Sequence, residues 1–239
     1  MVDVSTATKF TVQYNLFGGT IFALHTERHK DMFAKIDTLE NIGCFCLTEV
    51  GYGNNAVQME TTITYDHGKQ EFTVETPTTL SYKYWITNGA CHANYAIVFG
   101  QMIVDGKNEG VNAVIVPIRG KDNKALPGVT ILDMGWKLGA NGVDNATLRF
   151  DKVKVPRTNM LNRYSDVNEQ GKFVCDVDKL YSRFFKVTER LLSGRMCLAS
   201  IAMGCTRSCL YIGIKYSMNR KGVGESGKSD TAIFDYQLQ

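Results

Sequence analysis

Two apolar runs near the middle of the 239-residue chain constrain its fold most strongly. Residues 96–104 (AIVFGQMIV) and 111–118 (VNAVIVPI) are almost continuously apolar, and the segment between them contains Asp105-Gly106, a dipeptide typical of hairpin turns. Runs of this length predict strands, and strands that lack a polar alternation are covered on both faces. The sequence therefore predicts a sheet with a buried centre.

Shorter strands are predicted on both sides of this pair. Phe72 and Val74 alternate with polar neighbours, which is the period of a half-buried strand. Residues 148–155 alternate in the same way, except for a phase slip at residues 151 and 152 that predicts a bulge or a turn. Several short strands at this spacing are typical of a barrel or a sandwich.

Helical patterns flank the strands. A short one precedes them, and a longer one extends from Arg183 to Arg220 without a proline. In the longer segment apolar residues recur at steps of three and four, which predicts a long, well-buried helix or a pair of helices. One such stripe comprises Leu192, Met196, Ala199 and Met203. A helix of this kind needs partners, so we expect another chain or a further part of a longer protein to cover it.

Composition argues against several functions. The net charge of +3 comes without a concentrated basic run, so nucleic-acid binding is not expected. No uninterrupted run of apolar residues is long enough to cross a bilayer, so no membrane span is expected. The seven cysteines are odd in number and scattered, which favours a reducing compartment over a disulfide framework. None of them has the spacing of a zinc site, and no metal is expected.

Four ordered blocks carry a more specific signal. They are GCFCLTEVGYGN at residues 43–54, KYWITNG at 83–89, KLGANGVDN continuing to FDKVKVP at 137–156, and the 25-residue step from Arg195 to Arg220. In this order the blocks resemble the acyl-CoA dehydrogenase and oxidase superfamily. Further details, among them QYNLFGG at residues 13–19, are similar to the peroxisomal acyl-CoA oxidase branch.

The resemblance implies an incomplete version of that superfamily's α+β fold. Residues 1–38 would be the end of an N-terminal helical domain, 39–160 a middle β-barrel-like domain, and 161–239 the start of a C-terminal helical domain. The implied activity is FAD-dependent oxidation of fatty acyl-CoA to trans-2-enoyl-CoA with formation of peroxide, in peroxisomal β-oxidation. In such a reaction the flavin carries the electrons, while the protein orients the reactants.

The resemblance also assigns site residues. Those matched to the FAD site are Cys46, Thr48, Gly53, Trp85, Thr87, Arg220 and Gln237. Asn54 and Arg195 match positions that contact the acyl-CoA. Trp85 would pack beside the flavin ring, and the hydroxyls of Thr48 and Thr87 would face it, where a donor stabilises the charge that develops on reduction. Arg220 and Gln237 match residues that reach the cofactor of a neighbouring subunit, which implies a homodimer in the full-length form.

No catalytic base is assigned. The superfamily's oxidase glutamate belongs to a position beyond Gln239, the last residue of the sequence. Some members carry the base beside the arginine that Arg195 matches, but that neighbour is Gly194 here. The chain is therefore expected to be inactive by itself.

Three alternatives stay open. Thr87 is typical of acyl-CoA dehydrogenases, whereas many oxidases carry glycine there, so an electron-transfer-linked dehydrogenase is the first. The second is a catalytically incomplete module that binds flavin or a partner subunit. The third is a nucleotide site, because residues 222–229 (GVGESGKS) match the phosphate-binding P-loop pattern. That pattern binds phosphate between a strand and a helix, and a helix is predicted before it here, so we expect a solvated loop.

Overall fold

The computed structural model describes residues 3–236 of the chain. Helix α1 (Val4–Thr11) continues through a π-helical segment (Val12–Gly18) into α2 (Gly19–Leu24), and α3 (Asp31–Asp37) follows. Asp3 caps α1, since its carboxylate accepts hydrogen bonds from the backbone N–H groups of Ser5 and Thr6 at 3.2 and 2.7 Å. The helical pattern predicted before the strands is therefore confirmed.

Eleven strands occupy the middle of the described chain, and two short strands lie near its end. They are β1 (Gly43–Cys46), β2 (Thr62–Asp66), β3 (Glu71–Glu75), β4 (Lys83–Thr87), β5 (Tyr95–Val104), β6 (Lys107–Pro117), β7 (Val129–Asp133), β8 (Asn145–Phe150), β9 (Val153–Pro156), β10 (Ser165–Val167), β11 (Phe173–Cys175), β12 (Lys221–Gly222) and β13 (Thr231–Ala232). Strand β3 shows the predicted alternation of burial. The predicted phase slip is the turn between β8 and β9, where Lys152 has a φ of 50°.

The long strand β5 organises the larger sheet. Strands β1 and β2 pair in parallel with successive halves of β5, and β6 pairs antiparallel with it. The sheet continues antiparallel from β2 through β3 to β9. The turn from β5 to β6 has positive φ at Asp105 (52°) and Gly106 (74°), as a tight hairpin requires. A second sheet has the order β4-β8-β7 and is antiparallel.

Both faces of β5 are buried. Ala96 and Val98 pack into one apolar core together with residues of the smaller sheet, such as Leu148. Ile97 and Phe99 point the other way and pack with helical residues in a second core. The prediction of a doubly covered strand pair is therefore confirmed, and the fold is α+β, as the sequence indicated.

Two helices follow the strands, α4 (Leu180–Val187) and α5 (Arg190–Asn219). The prediction of a helix pair is confirmed, but the prediction that it is well buried is wrong for α5, which has no buried residue. Met196 is 74 % exposed, and the rest of its stripe is similarly open. The physical reason is that periodicity identifies the apolar stripe of a helix but not the residues that cover it. Leu191 packs against the second core, whereas the stripe that begins at Leu192 is exposed.

Helix α5 bears on the expectation that the chain has no membrane span. It contains an 18-residue window with a mean hydropathy of 1.4, so it is long and apolar enough to cross a bilayer by length and composition. The core helices of soluble proteins often meet the same criterion, and one such helix is weak evidence of a span.

The described chain comprises two compact units, Asp3–Gly194 and the residues from Arg195 onward. In the second unit, β12 and β13 form a short antiparallel hairpin around residues 223–230. The P-loop-like residues therefore lie in a hairpin loop, in which the Ser226 hydroxyl donates to Asp230. A phosphate-binding turn requires a strand followed by a helix, so the nucleotide-site alternative is wrong.

The packing of β1 on the π-helical segment leads to a first prediction. A Cβ atom at Gly43 would overlap the ring of Phe17, which is fully buried. Gly43→Ala should therefore lower the free energy of unfolding by about 1–3 kcal/mol, measured by urea denaturation. Gly139→Ala is the control, because a Cβ there would meet no atom within 4 Å. Equal stability of the two variants would contradict this packing.

Candidate functional site

Five of the predicted site residues lie in neighbouring segments of the first unit. Thr48, Gly53, Asn54 and Trp85 are exposed, and Thr87 is half-buried. We call these five residues the Thr48–Thr87 surface. The chain leaves the larger sheet at the end of β1 and crosses to the smaller sheet, where it runs beside β4 before the turn that carries Gly53.

Backbone hydrogen bonds hold the crossing segment against β4. The Tyr84 N–H donates to the carbonyl of Thr48 at 2.9 Å, and residues 50 and 51 donate to the carbonyls of residues 82 and 80 at 3.0 and 2.9 Å. Gly51 permits this approach, because a Cβ there would lie 2.8 Å from the Cβ of Leu80. Thr48 and Trp85 are thereby brought to neighbouring backbone positions.

A buried ion pair lies within the same crossing. The Nζ atom of Lys83 donates to Oε1 of Glu49 at 2.9 Å, and the two side chains are 0 % and 1 % exposed. Lys83 also donates to the carbonyls of Phe99 at 2.7 Å and Leu47 at 3.3 Å. Its three donors are therefore all used, and the crossing segment is joined to β4 and to β5 by one side chain.

The carboxylate of Glu49 is satisfied by further donors. It accepts from the backbone N–H groups of Glu60 at 2.8 Å and Thr61 at 3.1 Å, and from the Thr61 hydroxyl. Burial lowers the pKa of Lys83, while the neighbouring Glu49 charge opposes that shift. Because strand side chains alternate, an inward Glu49 places Thr48 and Val50 outward.

Trp85 has an unusual backbone. Its φ is 63°, in the left-handed region, and the register between β4 and β8 shifts between Lys83 and Ile86. A bulky residue at positive φ is strained by about 1–3 kcal/mol, and such strain is common at functional sites. The bulge turns the indole outward, where it is 54 % exposed.

Thr87 lies directly opposite Asn145 at the end of the β4–β8 ladder. The amide of Asn145, only 3 % exposed, donates to the Thr87 hydroxyl oxygen at 3.1 Å and to the Trp85 carbonyl at 3.4 Å. One buried side chain therefore contacts both residues that β4 contributes to the surface.

Cys46 is placed differently from the other site residues. Its side chain is fully buried, and its sulfur lies 3.7 Å from that of Cys44 on the same face of β1. The hydrogen bond with Cys46 and burial raise the pKa of the Cys44 thiol, so both sulfurs belong to the core. The side chain of Cys46 is therefore not available to a ligand, and the assignment of this residue to a cofactor stays a prediction.

Three predicted residues belong to the second part of the chain. Arg195 is exposed on α5, and none of the ion pairs within residues 3–236 includes it. Arg220 is exposed just after α5, where its carbonyl accepts from the Ile233 N–H at 2.9 Å. Gln237 lies outside the described residues. The roles assigned to these three residues stay predictions.

Three residues without a role in the resemblance are connected with the surface in the structure. Glu49, Lys83 and Asn145 all lie within the blocks quoted above, and all three are buried. The alternation of side chains along a strand could have identified Glu49. If Thr48 points outward, the residue next to it must point inward. Charged residues in such positions need a partner, and Glu49 and Lys83 are the only charges of their two segments.

The surface can bind a flat ligand. It offers one exposed indole face, two hydroxyl groups and the backbone of a glycine turn, in which Gly53 has a φ of 41° and no atom would crowd a Cβ. Such groups pack against and hydrogen-bond to a planar heterocycle. Among these five residues none carries an ionisable side chain, so they orient a ligand and transfer no proton.

Comparison with known families agrees with this arrangement. Residues 44–153 match the family described as the acyl-CoA dehydrogenase middle domain. This range includes all five residues of the Thr48–Thr87 surface. The peroxisomal acyl-coenzyme A oxidase 2 of Arabidopsis thaliana is 41 % identical over 246 aligned residues that cover all of this chain. Residues 44–153 therefore form an acyl-CoA dehydrogenase middle domain, and the whole chain is similar to part of the acyl-CoA oxidases.

Solved structures of the superfamily share the fold. Acyl-CoA oxidase 1 of Yarrowia lipolytica superposes with a TM-score of 0.89 at 33 % identity, over 98 % of this chain and 34 % of its own. Acyl-CoA oxidase-2 of Caenorhabditis elegans was solved bound with FAD, ascaroside-CoA and ATP. It also superposes with a TM-score of 0.89, at 30 % identity, over 96 % of this chain and 34 % of its own.

The chain spans about a third of the length of these superfamily relatives. It covers 36 % of the Arabidopsis protein and 34 % of the human peroxisomal acyl-coenzyme A oxidase 3, which is 35 % identical. The structural correspondence therefore concerns about a third of each relative.

The buried pair leads to a second prediction. Lys83→Met leaves Glu49 buried without a partner charge, so the free energy of unfolding should fall by about 3–5 kcal/mol. Lys83→Met with Glu49→Gln removes both charges and should recover part of that loss, as measured by urea denaturation. Lys154→Met is the matched control, since Lys154 is 50 % exposed in its pair with Glu71, and a pair open to solvent on the lysine side should contribute little. A Lys83→Met variant as stable as this control would contradict the role of the pair.

Proposed function

We propose that this chain provides the flavin-binding middle domain of a FAD-dependent acyl-CoA oxidase. The enzyme would convert fatty acyl-CoA to trans-2-enoyl-CoA and reduce oxygen to hydrogen peroxide. The observation that carries the proposal is the outward, strained Trp85 beside Thr48 and Thr87, on a fold shared with an acyl-CoA oxidase solved with FAD. Several relatives are named peroxisomal, which supports that compartment for this chain.

The residues present fit a flavin. An indole that is 54 % exposed in a rigid strand gains free energy when a flat ring covers it. Thr48, which is bonded through its carbonyl to Tyr84 of β4, and Thr87 at the end of that strand supply hydroxyl groups. The glycine turn at residues 51–53 lets backbone approach a ligand closely, and Asn54 follows it as the contact to the acyl-CoA.

FAD, when bound, would accept the hydride removed from the acyl chain, while the proton removed with it would go to a separate base. Trp85 holds the ring, Thr48 and Thr87 orient it, and the side of the ring packed against the surface is shielded from water. Arg195 meets the anionic part of the acyl-CoA or a carboxylate of the site, which compensates its own charge. The proton acceptor for the α-carbon is not among the residues of the Thr48–Thr87 surface.

The full-length protein would act as a homodimer. Arg220 and Gln237 would reach the FAD bound by the partner subunit, and a guanidinium fork suits the cofactor's diphosphate. Support for an assembly comes from α5, in which no residue is buried and apolar side chains such as Met196 and Met203 are exposed.

The second candidate is an acyl-CoA dehydrogenase, and Thr87 is the observation that favours it. A dehydrogenase would perform the same removal of hydrogen but would pass the electrons to an electron-transfer protein in place of oxygen. The two candidates share the flavin site, so they differ only in what reoxidises the cofactor.

Trp85 provides the test of the flavin site. Trp85→Ala should weaken the binding of FAD about tenfold, because the aromatic contact with the ring is lost. Quenching of FAD fluorescence during titration of the purified chain measures this. Trp136→Ala is the matched control, since the only other tryptophan is 91 % exposed in the loop between β7 and β8. Equal losses in both variants, or a wild-type chain that binds no FAD, would contradict the proposal.

Oxygen reactivity separates the two enzymes. The FAD-loaded protein, reduced with dithionite and mixed with air-saturated buffer, should regain its visible absorbance within seconds and release an equivalent amount of hydrogen peroxide. A reduced flavin that persists for minutes under these conditions would favour the dehydrogenase and overturn the oxidase assignment.

A further inference from the structure

We infer that Asn145 is a positioning residue that fixes the direction of the Thr87 hydroxyl, so that this hydroxyl donates its hydrogen to an acceptor bound on the Thr48–Thr87 surface. The resemblance that matches Thr87 to the flavin site implies that this acceptor is the N5 atom of the ring. The inference rests on the proposed function, but it concerns an interaction within this chain that can be tested separately.

The orientation of the Asn145 amide follows from its first contact. Its Nδ2 atom lies 3.4 Å from the carbonyl oxygen of Trp85, and a carbonyl can only accept a hydrogen bond. The reverse orientation would place the Oδ1 atom of the amide against that oxygen, and two acceptors repel. The NH₂ end must therefore face Trp85, whatever the ambiguity between the two ends of an asparagine side chain.

The second contact then fixes the polarity of Thr87. The same Nδ2 atom lies 3.1 Å from the Oγ1 atom of Thr87, so its other hydrogen occupies one lone pair of the hydroxyl. Thr87 acts as the acceptor in this bond. Its own O–H is left to donate, and within residues 3–236 it makes no hydrogen bond in which it does so.

Burial makes this arrangement rigid. Asn145 is 3 % exposed and lies opposite Thr87 at a paired position of the β4–β8 ladder. Water cannot easily replace a donor in such a place, and an unpaired amide there would be costly. The contact with Trp85 also ties the amide to the bulge, so the indole and the hydroxyl are held by one side chain.

The chemical consequence depends on the ligand atom that meets Thr87. The N5 atom of oxidised flavin has a lone pair and no hydrogen, so it accepts from a hydroxyl. A hydroxyl whose donor is directed outward therefore favours oxidised flavin, the form that must bind before the acyl-CoA is oxidised. If Asn145 accepted rather than donated, it would draw the Thr87 hydrogen away from the ligand.

A flavin analogue isolates this contact. In 5-deaza-FAD a C–H group replaces N5, so the ring keeps its shape and loses the acceptor. The wild-type chain should bind FAD about five- to tenfold more tightly than 5-deaza-FAD, the effect of one hydrogen bond. Thr87→Val keeps the branched shape without the hydroxyl and should bind both flavins equally. Fluorescence titration of the purified chain gives the two dissociation constants.

Variants of Asn145 test the positioning role. Asn145→Asp puts an acceptor opposite Thr87 and should bring the ratio of the two dissociation constants to about one. Asn145→Leu removes both hydrogen bonds and should at least halve the ratio. In the Thr87→Val background Asn145→Leu should leave the ratio unchanged, because the group through which Asn145 acts is absent. Asn159→Ala, which removes another amide-to-carbonyl bond, to Ile115, is the control and should keep the wild-type ratio.

The outcomes are distinguishable. A wild-type chain that binds FAD and 5-deaza-FAD equally, or an Asn145→Asp variant that keeps the full ratio, overturns the inference and leaves the proposed flavin site intact. A wild-type chain that binds neither flavin contradicts the proposed function and, with it, the inference. Urea denaturation of each variant shows whether it is folded, and Asn145→Leu serves in place of Asn145→Asp where the carboxylate prevents folding.

Discussion

The arrangement of the candidate site depends on the buried ion pair between Glu49 and Lys83. A charged pair in a dry interior contributes little net stability, because desolvation offsets most of the attraction. It is nevertheless specific, since any shift of one strand against the other would leave a buried charge without its partner. The pair joins the segment after β1 to β4, and it therefore fixes where Thr48 lies relative to Trp85.

The same fixed arrangement of strands holds Trp85 in a strained backbone conformation. A left-handed tryptophan costs about 1–3 kcal/mol, and it persists only where the surroundings leave no relaxed alternative. On one side of the bulge Lys83 is held by three acceptors, and on the other Ile86 and Thr87 are paired with β8. The buried amide of Asn145 holds the Trp85 carbonyl between them. The neighbouring strands therefore force the indole to point outward, although tryptophan does not favour this backbone conformation.

Periodicity predicted much of this fold, and contacts between distant segments decided the rest. The apolar runs of β5 and β6 specified a doubly covered strand pair, because only two opposed cores satisfy such runs. Periodicity could not predict that the Cys46 thiol points inward while Thr48 points outward, because the chain passes from one sheet to the other between these residues. The φ of Trp85 depends on the β4–β8 register, and the exposure of α5 depends on residues that would cover it. Neither is encoded locally.

The charges of the candidate site indicate which part of a flavin cofactor this surface could bind. Glu49 and Lys83 neutralise each other in the interior, and the Thr48–Thr87 surface carries no ionisable group of its own. Such a surface favours an uncharged planar ring through packing and directed hydrogen bonds, and it gives a diphosphate nothing to pair with. The phosphates of a dinucleotide flavin would need cations from elsewhere. An arginine such as Arg220 from a partner subunit would meet that requirement, so the proposed homodimer agrees with a ring surface that carries no charge.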